Sequence, residues 1–204
     1  MDIYGFDYFP NYYSRLEQED LLNDIRHIVK EAPLITPIMP KTGKEMSVRQ
    51  TNCGELGWVT DKEQGYRYQK NHPITGKAWP DIPPSLQNLW QKLSGFPQPA
   101  EACLINFYAP QARMGMHQDK DEMELNAPVI SISLGDSCLF RIGTTEKQGK
   151  THSIRLNSGD VIMFGGKARL AYHGVDRIYP NTSTLLKVPG RVNLTLRRIS
   201  PISN

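Results

Sequence analysis

Three residues in this chain have the types and spacing to hold a metal. His117 and Asp119 stand two apart in MGMHQDKDE, and His173 lies in LAYHGV. If the first stretch is extended, positions two apart leave one face of the strand, so both side chains can converge on one ion. His173 would join them from the end of a later strand. Two histidines and a carboxylate on one side of a metal form the facial triad of non-haem ferrous oxygenases, which keeps coordination positions open for a co-substrate and oxygen. The same donors also make a catalytic zinc site, and a lone His-X-Asp occurs by chance in many chains. By itself the triad leaves ferrous oxygenation, zinc hydrolysis and coincidence open.

The discriminating segment is GRVNLTLRR. Alternation along a strand puts Arg191, Asn193, Thr195 and Arg197 on one face and Val192, Leu194 and Leu196 on the other. Two arginines turned into a β-core are costly unless an anion meets them. A small dicarboxylate meets that demand. Guanidinium forks bind carboxylates bidentately, and 2-oxoglutarate offers a distal carboxylate to Arg197 and a metal-proximal one to Arg191 and Asn193. The expected cofactors are therefore Fe(II), 2-oxoglutarate as co-substrate, and O2.

The elements that must position these residues follow from hydrophobic periodicity. Leu21, Leu22, Ile25, Ile28 and Val29 recur at helical spacing and predict a helix over residues 16–31, with Ser14 as its cap. Leu86, Leu89, Trp90 and Leu93 predict a second over residues 84–93, started by Pro83 and Pro84. Between them, residues 39–80 are polar, rich in Gly and Lys, and read as hairpins and loops. After residue 100 come seven short runs: ACLINFYA, PVISISLG, CLFRIG, HSIRLN, DVIMFG, LAYHGV and RVNLTLRR. They predict an all-β core, a double-stranded β-helix or jelly roll, braced by the N-terminal helices.

At 204 residues the chain has the length of one domain, expected to span 1–204 with a catalytic core over about 101–199. No apolar run approaches the roughly 20 residues of a membrane span, and the N-terminus lacks a basic stretch followed by an apolar one, so a cytoplasmic address and no membrane partner are expected. Cys53, Cys103 and Cys138 are odd in number and widely spread, which fits reduced packing thiols. Charge is uneven: residues 1–136 carry 13 Lys+Arg against 18 Asp+Glu, and residues 137–204 carry 11 against 3. A basic C-terminal third is compatible with a nucleic-acid face, and equally with folding that mixes the two halves in space.

With these residues in hand, the chain resembles the AlkB family of nucleic-acid dealkylases, most closely its bacterial members. The resemblance covers about residues 39–199 and includes SVRQTNCGELGW, ACLINFYAP, HQDKDE, FGG with YHG, and RVNLTLR in family order. It implies that His117, Asp119 and His173 ligate iron, that Arg197 pairs the distal carboxylate of 2-oxoglutarate, and that Arg191 and Asn193 serve its other end. Asn106, Tyr108 and Ser131 would line the same pocket. It also implies that residues 39–80 form a nucleotide-recognition lid, with Trp58 stacking on a flipped base opposite His117 and Asp121 near the base's exocyclic amine. An aromatic face and a carboxylate both favour a cationic methylated base. Tyr66, Arg113, Lys120 and Lys147 fall where family members touch the strand. Phe164 stands where the family usually has tryptophan, and Phe107 where an arginine is familiar; both bear on pocket shape.

The activity so implied is oxidative demethylation of N-alkylated bases of the 1-methyladenine and 3-methylcytosine type, which is direct-reversal alkylation repair. The partner would be alkylated DNA, single strands preferred, with RNA a second substrate, and a monomer would suffice. Two other readings are a hydroxylase of protein or small molecules on the same iron centre, and a jelly-roll binding module without metal. Trp58 and Asp121 argue against the first. The triad and both arginines argue against the second.

Overall fold

The computed structural model describes residues 1–202. Two short strands, β1 (Asp2–Ile3) and β2 (Phe6–Phe9), precede helix α1 (Arg15–Glu31). Strands β3 (Val48–Gly54), β4 (Gly57–Asp61) and β5 (Gly65–Gln69) lead to helix α2 (Pro84–Leu93). Then follow β6 (Ala102–Tyr108), β7 (Met114–His117), β8 (Val129–Gly135) and β9 (Ser137–Ile142). Last come β10 (His152–Leu156), β11 (Val161–Phe164), β12 (His173–Tyr179) and β13 (Arg191–Arg197).

Helix α1 starts where its side chains satisfy the free backbone donors. Ser14 accepts the Glu17 N–H at 3.4 Å, and the Glu17 carboxylate accepts the Ser14 N–H at 2.7 Å, a reciprocal capping box. Ser14→Ala should cost about 1 kcal/mol, read as a lower midpoint in a urea melt with unchanged slope.

The strands form two main antiparallel sheets. The larger runs β1-β2-β11-β8-β13-β6-β3 and the smaller β10-β9-β12-β7, while β4 and β5 pair only with each other. The larger sheet is a two-faced partition. On its outer face Cys103, Ile105, Ile130, Ile132, Val192, Leu194 and Leu196 pack against Leu21, Leu22, Ile25, Leu86, Leu89 and Trp90 of the helices. Between the sheets Phe6, Phe140, Ile142, Ile162, Phe164 and Val175 form a second apolar cluster. This is the expected jelly roll, with both helices on one side. The three cysteines are buried free thiols, and no described helix is long and apolar enough to cross a membrane.

Three details differ from the sequence expectation. The N-terminal FDYF forms a strand, β2, paired between β1 and β11 at one end of the larger sheet; such a short run after a Gly5 turn carries no periodic signal. The stretch expected as hairpins and loops divides in two: β3 pairs with β6 throughout and belongs to the larger sheet, and only β4–β5 stands as a separate hairpin. Finally, β12 begins at His173 itself, and β7 ends at His117. Asp119 therefore lies beyond the strand, and it is not strand alternation that aims it.

Candidate active site

The metal-ligating atoms of His117, Asp119 and His173 all lie within 4.8 Å of one another. Pairing of β7 with β12 places His117 directly opposite His173, which brings the two rings to a 4.5 Å centroid separation. Asp119 is held from the loop by its backbone, whose carbonyl accepts from Arg169 Nη1 at 2.5 Å. Its carboxylate reaches His117 Nε2 at 3.6 Å and His173 Nε2 at 3.8 Å. In both rings Nδ1 is engaged by a backbone carbonyl, Gly115 at 2.9 Å and Ala171 at 3.0 Å. A ring that donates through Nδ1 offers its Nε2 lone pair inward, which is the tautomer a metal needs.

Electrostatics prepare Asp119 and His173 for that role, while at His117 burial is outweighed by the Asp119 carboxylate, which raises the ring's pKa. Burial pushes the Asp119 carboxyl up, but Arg197 and the two histidines outweigh it and hold that carboxyl well below the usual range. Burial, then the charge of His117, pushes His173 down to about 4, so it is a neutral ligand at pH 7. Close strand approach is also required. A Cβ on Gly174 would meet the Met114 carbonyl at 2.6 Å, so Gly174→Ala should force β12 from β7 and separate the histidines. The expected result is iron affinity lowered by roughly 10-fold or more, measured by competition with a chelator dye.

The inner face of the larger sheet supplies the floor of a cavity of about 370 Å³. Arg191 is 1% exposed; its Nη2 donates to Ser133 Oγ at 3.0 Å, and its guanidinium lies 5.3 Å from the Tyr108 ring centroid. Asn193 donates to Ser131 Oγ at 2.7 Å and to the Ile132 carbonyl at 3.0 Å. Arg197 donates to Asp119 Oδ2 at 2.7 Å and to Glu122 Oε1 at 3.1 Å. Among the described residues Arg191 Nε and Nη1, Arg197 Nε and Asn106 Oδ1 are buried without partners. Three of these four atoms are cationic N–H groups, and a dianion between the two arginines would satisfy them.

That geometry corrects one expectation. Arg197 sits against Asp119 of the triad, and Arg191 lies six residues along the strand, beside Tyr108. The sequence expectation set Arg197 at the far carboxylate, whereas it is the arginine beside the triad, because alternation reveals a shared face but not which end of the strand the triad adjoins.

At the mouth Trp58 Nε1 donates to Asp121 Oδ2 at 2.8 Å, and the Trp58 ring stacks on the exposed Tyr66 with centroids 5.7 Å apart. Trp58 is fixed through its backbone, which exchanges hydrogen bonds of 3.0 Å with the Asn52 side chain and accepts another from Gln50. Gly57 lies flush on Trp79, whose indole a Cβ would meet at 2.3 Å. Lys120 and Lys147 also line the cavity. Arg113 does not; it is exposed, tied through its backbone to Ser47. Phe164 lines the cavity with its ring 4.8 Å from that of His173, whereas Phe107 packs on the helical side and cannot shape the pocket. Sequence reasoning missed Tyr68, Glu122 and Arg169, which surround Arg197 and Asp119; only Tyr68, two beyond Tyr66, carried a positional hint.

A zinc hydrolase has no use for two buried arginines with unanswered donors. The donor set and that arginine pair together define an iron oxygenase whose co-substrate is a dicarboxylate. Comparison with known proteins agrees: the model of the 2OG-Fe(II) oxygenase superfamily matches residues 5–197. The alpha-ketoglutarate-dependent dioxygenase AlkB homolog of Caulobacter vibrioides is 47% identical over 194 residues, covering 95% of this chain and 87% of that protein. Alpha-ketoglutarate-dependent dioxygenase AlkB of Escherichia coli is 42% identical, covering 88% and 84%. The solved structure of OsALKBH1 superposes with a TM-score of 0.78 at 30% identity, over 95% of this chain and 98% of that one. This chain belongs to the AlkB family, and it is an Fe(II)- and 2-oxoglutarate-dependent dioxygenase.

Proposed function

We propose that this enzyme removes alkyl groups from N-alkylated nucleic-acid bases of the 1-methyladenine and 3-methylcytosine type. The observation that carries the reading is one cavity with two furnished ends: the arginine floor below His117, and the Trp58–Asp121 pair above it. When bound, iron and 2-oxoglutarate supply O2-dependent hydroxylation of a substrate C–H bond, with succinate and carbon dioxide released. A hydroxylated N-methyl group then leaves as formaldehyde, which restores the base.

The chain's own residues make that chemistry selective. His117, Asp119 and His173 hold the metal. Arg191 with Tyr108 takes the distal carboxylate of the co-substrate, Arg197 and Asn106 border its metal-proximal end, and Asn193 with Ser131 stiffens the floor between them. Burial pushes the Tyr108 hydroxyl up to about 12, so it stays a neutral donor. Trp58 stacks on a base that has left its helix, with the His117 ring as the opposite wall, and Asp121 faces the positive charge that methylation confers. Tyr66, Lys120 and Lys147 meet the flanking strand. Arg113, outside the cavity, would reach phosphate only further along. The β4–β5 hairpin acts as the lid. Relatives named as a tRNA demethylase from Schizosaccharomyces pombe and a DNA N(6)-methyladenine demethylase from Arabidopsis thaliana support a nucleic-acid substrate. One chain supplies every group, so a monomer suffices, and single strands, which need no unpairing, are the favoured form.

Incubation of a 1-methyladenine or 3-methylcytosine oligonucleotide with iron, 2-oxoglutarate and ascorbate should remove 14 mass units per lesion, about one methylene, by mass spectrometry. No loss from either lesion, with 2-oxoglutarate still turned over, would move the assignment to a protein or small-molecule hydroxylase. Trp58→Ala should lower kcat/KM on the oligonucleotide by roughly 10- to 100-fold while leaving 2-oxoglutarate affinity near that of the parent.

A further inference from the structure

The hairpin that carries Trp58 touches the iron site a second time, through Tyr68. Trp58 and Tyr68 are directly opposed in the β4–β5 register, so their side chains leave the same face of the hairpin. Trp58 reaches Asp121 at the cavity mouth. Tyr68 reaches deeper: its hydroxyl donates to Glu122 Oε1 at 2.5 Å and accepts from Arg197 Nη1 at 2.9 Å. A phenol has one hydrogen, and with Glu122 taking it, the oxygen lone pairs are left to the guanidinium.

The surroundings leave this contact little freedom. The Glu122 side chain is fully buried, and its other oxygen is held by Arg169 Nη2 at 3.0 Å. Arg169 in turn donates to the backbone carbonyls of Asp119 and Ala127, which fixes the loop bearing the metal-binding carboxylate. Arg197 thus has three neighbours: Asp119, Glu122 and Tyr68. The first two belong to the loop after β7. Tyr68 alone belongs to the hairpin, which shares no strand pairing with either main sheet.

We propose that Tyr68 is a positioning residue that transmits the docking of the Trp58 hairpin to Arg197, so that nucleic acid and 2-oxoglutarate each tighten the other's binding. This rests on the assignment of Arg197 to the co-substrate and Trp58 to the base. Two ligands that favour one docked arrangement of a hairpin must favour each other by the same factor. A base stacked on Trp58 holds the hairpin down and keeps the Tyr68 oxygen against Arg197. A co-substrate carboxylate on Arg197 fixes the guanidinium that the Tyr68 oxygen needs as its donor.

The test uses anaerobic titration of the ferrous protein with 2-oxoglutarate, followed by its visible charge-transfer band, with and without a methylated oligonucleotide. In the unaltered protein the oligonucleotide should tighten 2-oxoglutarate by roughly 5-fold or more. Tyr68→Phe deletes only the hydroxyl; it should weaken 2-oxoglutarate by roughly 10-fold and abolish the oligonucleotide effect. Oligonucleotide binding by the metal-free variant, followed by fluorescence anisotropy, should match that of the metal-free parent. A variant with parental affinity and parental coupling overturns the proposal, and so does one that loses affinity but keeps the coupling. Amide exchange in the unaltered protein gives a second reading: adding 2-oxoglutarate to the ferrous form should slow exchange across Gly57–Gln69, and unchanged exchange there overturns the idea. If the parent shows no charge-transfer band or binds no oligonucleotide, it is the proposed function that fails, a result distinct from lost coupling in Tyr68→Phe.

Discussion

Replacing Arg191 with methionine will remove tight 2-oxoglutarate binding and yet leave the co-substrate-free protein at least as stable as before. Arg191 is among the largest fully buried side chains, and two of its three nitrogens have no partner among the described residues. Each buried, unanswered donor costs about 1–3 kcal/mol, and a well-packed apolar side chain of similar length avoids that cost. The arginine is therefore held at a cost to the fold, which the co-substrate carboxylate proposed for it would offset. Without it the distal carboxylate meets Tyr108 alone, and losing one partner of a buried charge pair costs about 2–5 kcal/mol, or roughly 30- to 5,000-fold in affinity. Anaerobic titration will show the loss. A thermal melt without co-substrate should show an unchanged or higher midpoint, and a fall of several degrees would mean that Ser133 and the Tyr108 ring already satisfy the guanidinium.

Asp119→Ala should do the opposite to stability. This carboxylate is metal ligand and ion-pair partner at once: it sits 2.7 Å from Arg197 Nη2 and within reach of both histidines. Removing it takes away the one carboxylate of the triad, so the protein should retain no iron after dialysis and turnover should fall to background. It also strips Arg197 of its nearest anion. Breaking a buried pair costs about 3–5 kcal/mol, and the low end applies because Glu122 still pairs with Arg197 at 3.1 Å. Metal analysis and a urea melt check the two effects separately. A variant that bound iron normally would remove Asp119 from the ligand set. Arg191 and Asp119 thus line one cavity with opposite relations to the fold, one a cost to it and the other a support.

Much of this was legible in the chain. The alternation of β13 told correctly which residues face the helices and which face the cavity, because a strand buried on both faces has no freedom in its period. The triad was legible as residue types, although Asp119 reaches its place through a loop tied to Arg169 rather than along a strand. What sequence could not supply was direction and distance. The order of the two arginines depends on which end of β13 adjoins β7 and β12, a property of sheet topology. The Tyr68–Glu122–Arg169 cluster joins residues up to 101 positions apart, and each alone reads as an ordinary hairpin tyrosine or a solvated charge. Arg113 shows the converse: a basic residue near the motif in sequence stays outside the cavity, since the chain turns β7 inward only from Met114.

The placement of β13 bears on how the enzyme comes into being. This strand follows every other described strand in sequence, yet it inserts inside the larger sheet, bonded to β8 on one side and β6 on the other. Until a growing chain has released residues 191–197 from the ribosome, β6 and β8 present two facing unpaired edges, and the outer-face cluster lacks Val192, Leu194 and Leu196. Such edges invite association with other chains, so nascent intermediates of this protein should be a preferred client of holding chaperones. The same late closure delivers Arg191 and Arg197 in one event, so a chain that stops short of β13 lacks both arginines of the cavity floor.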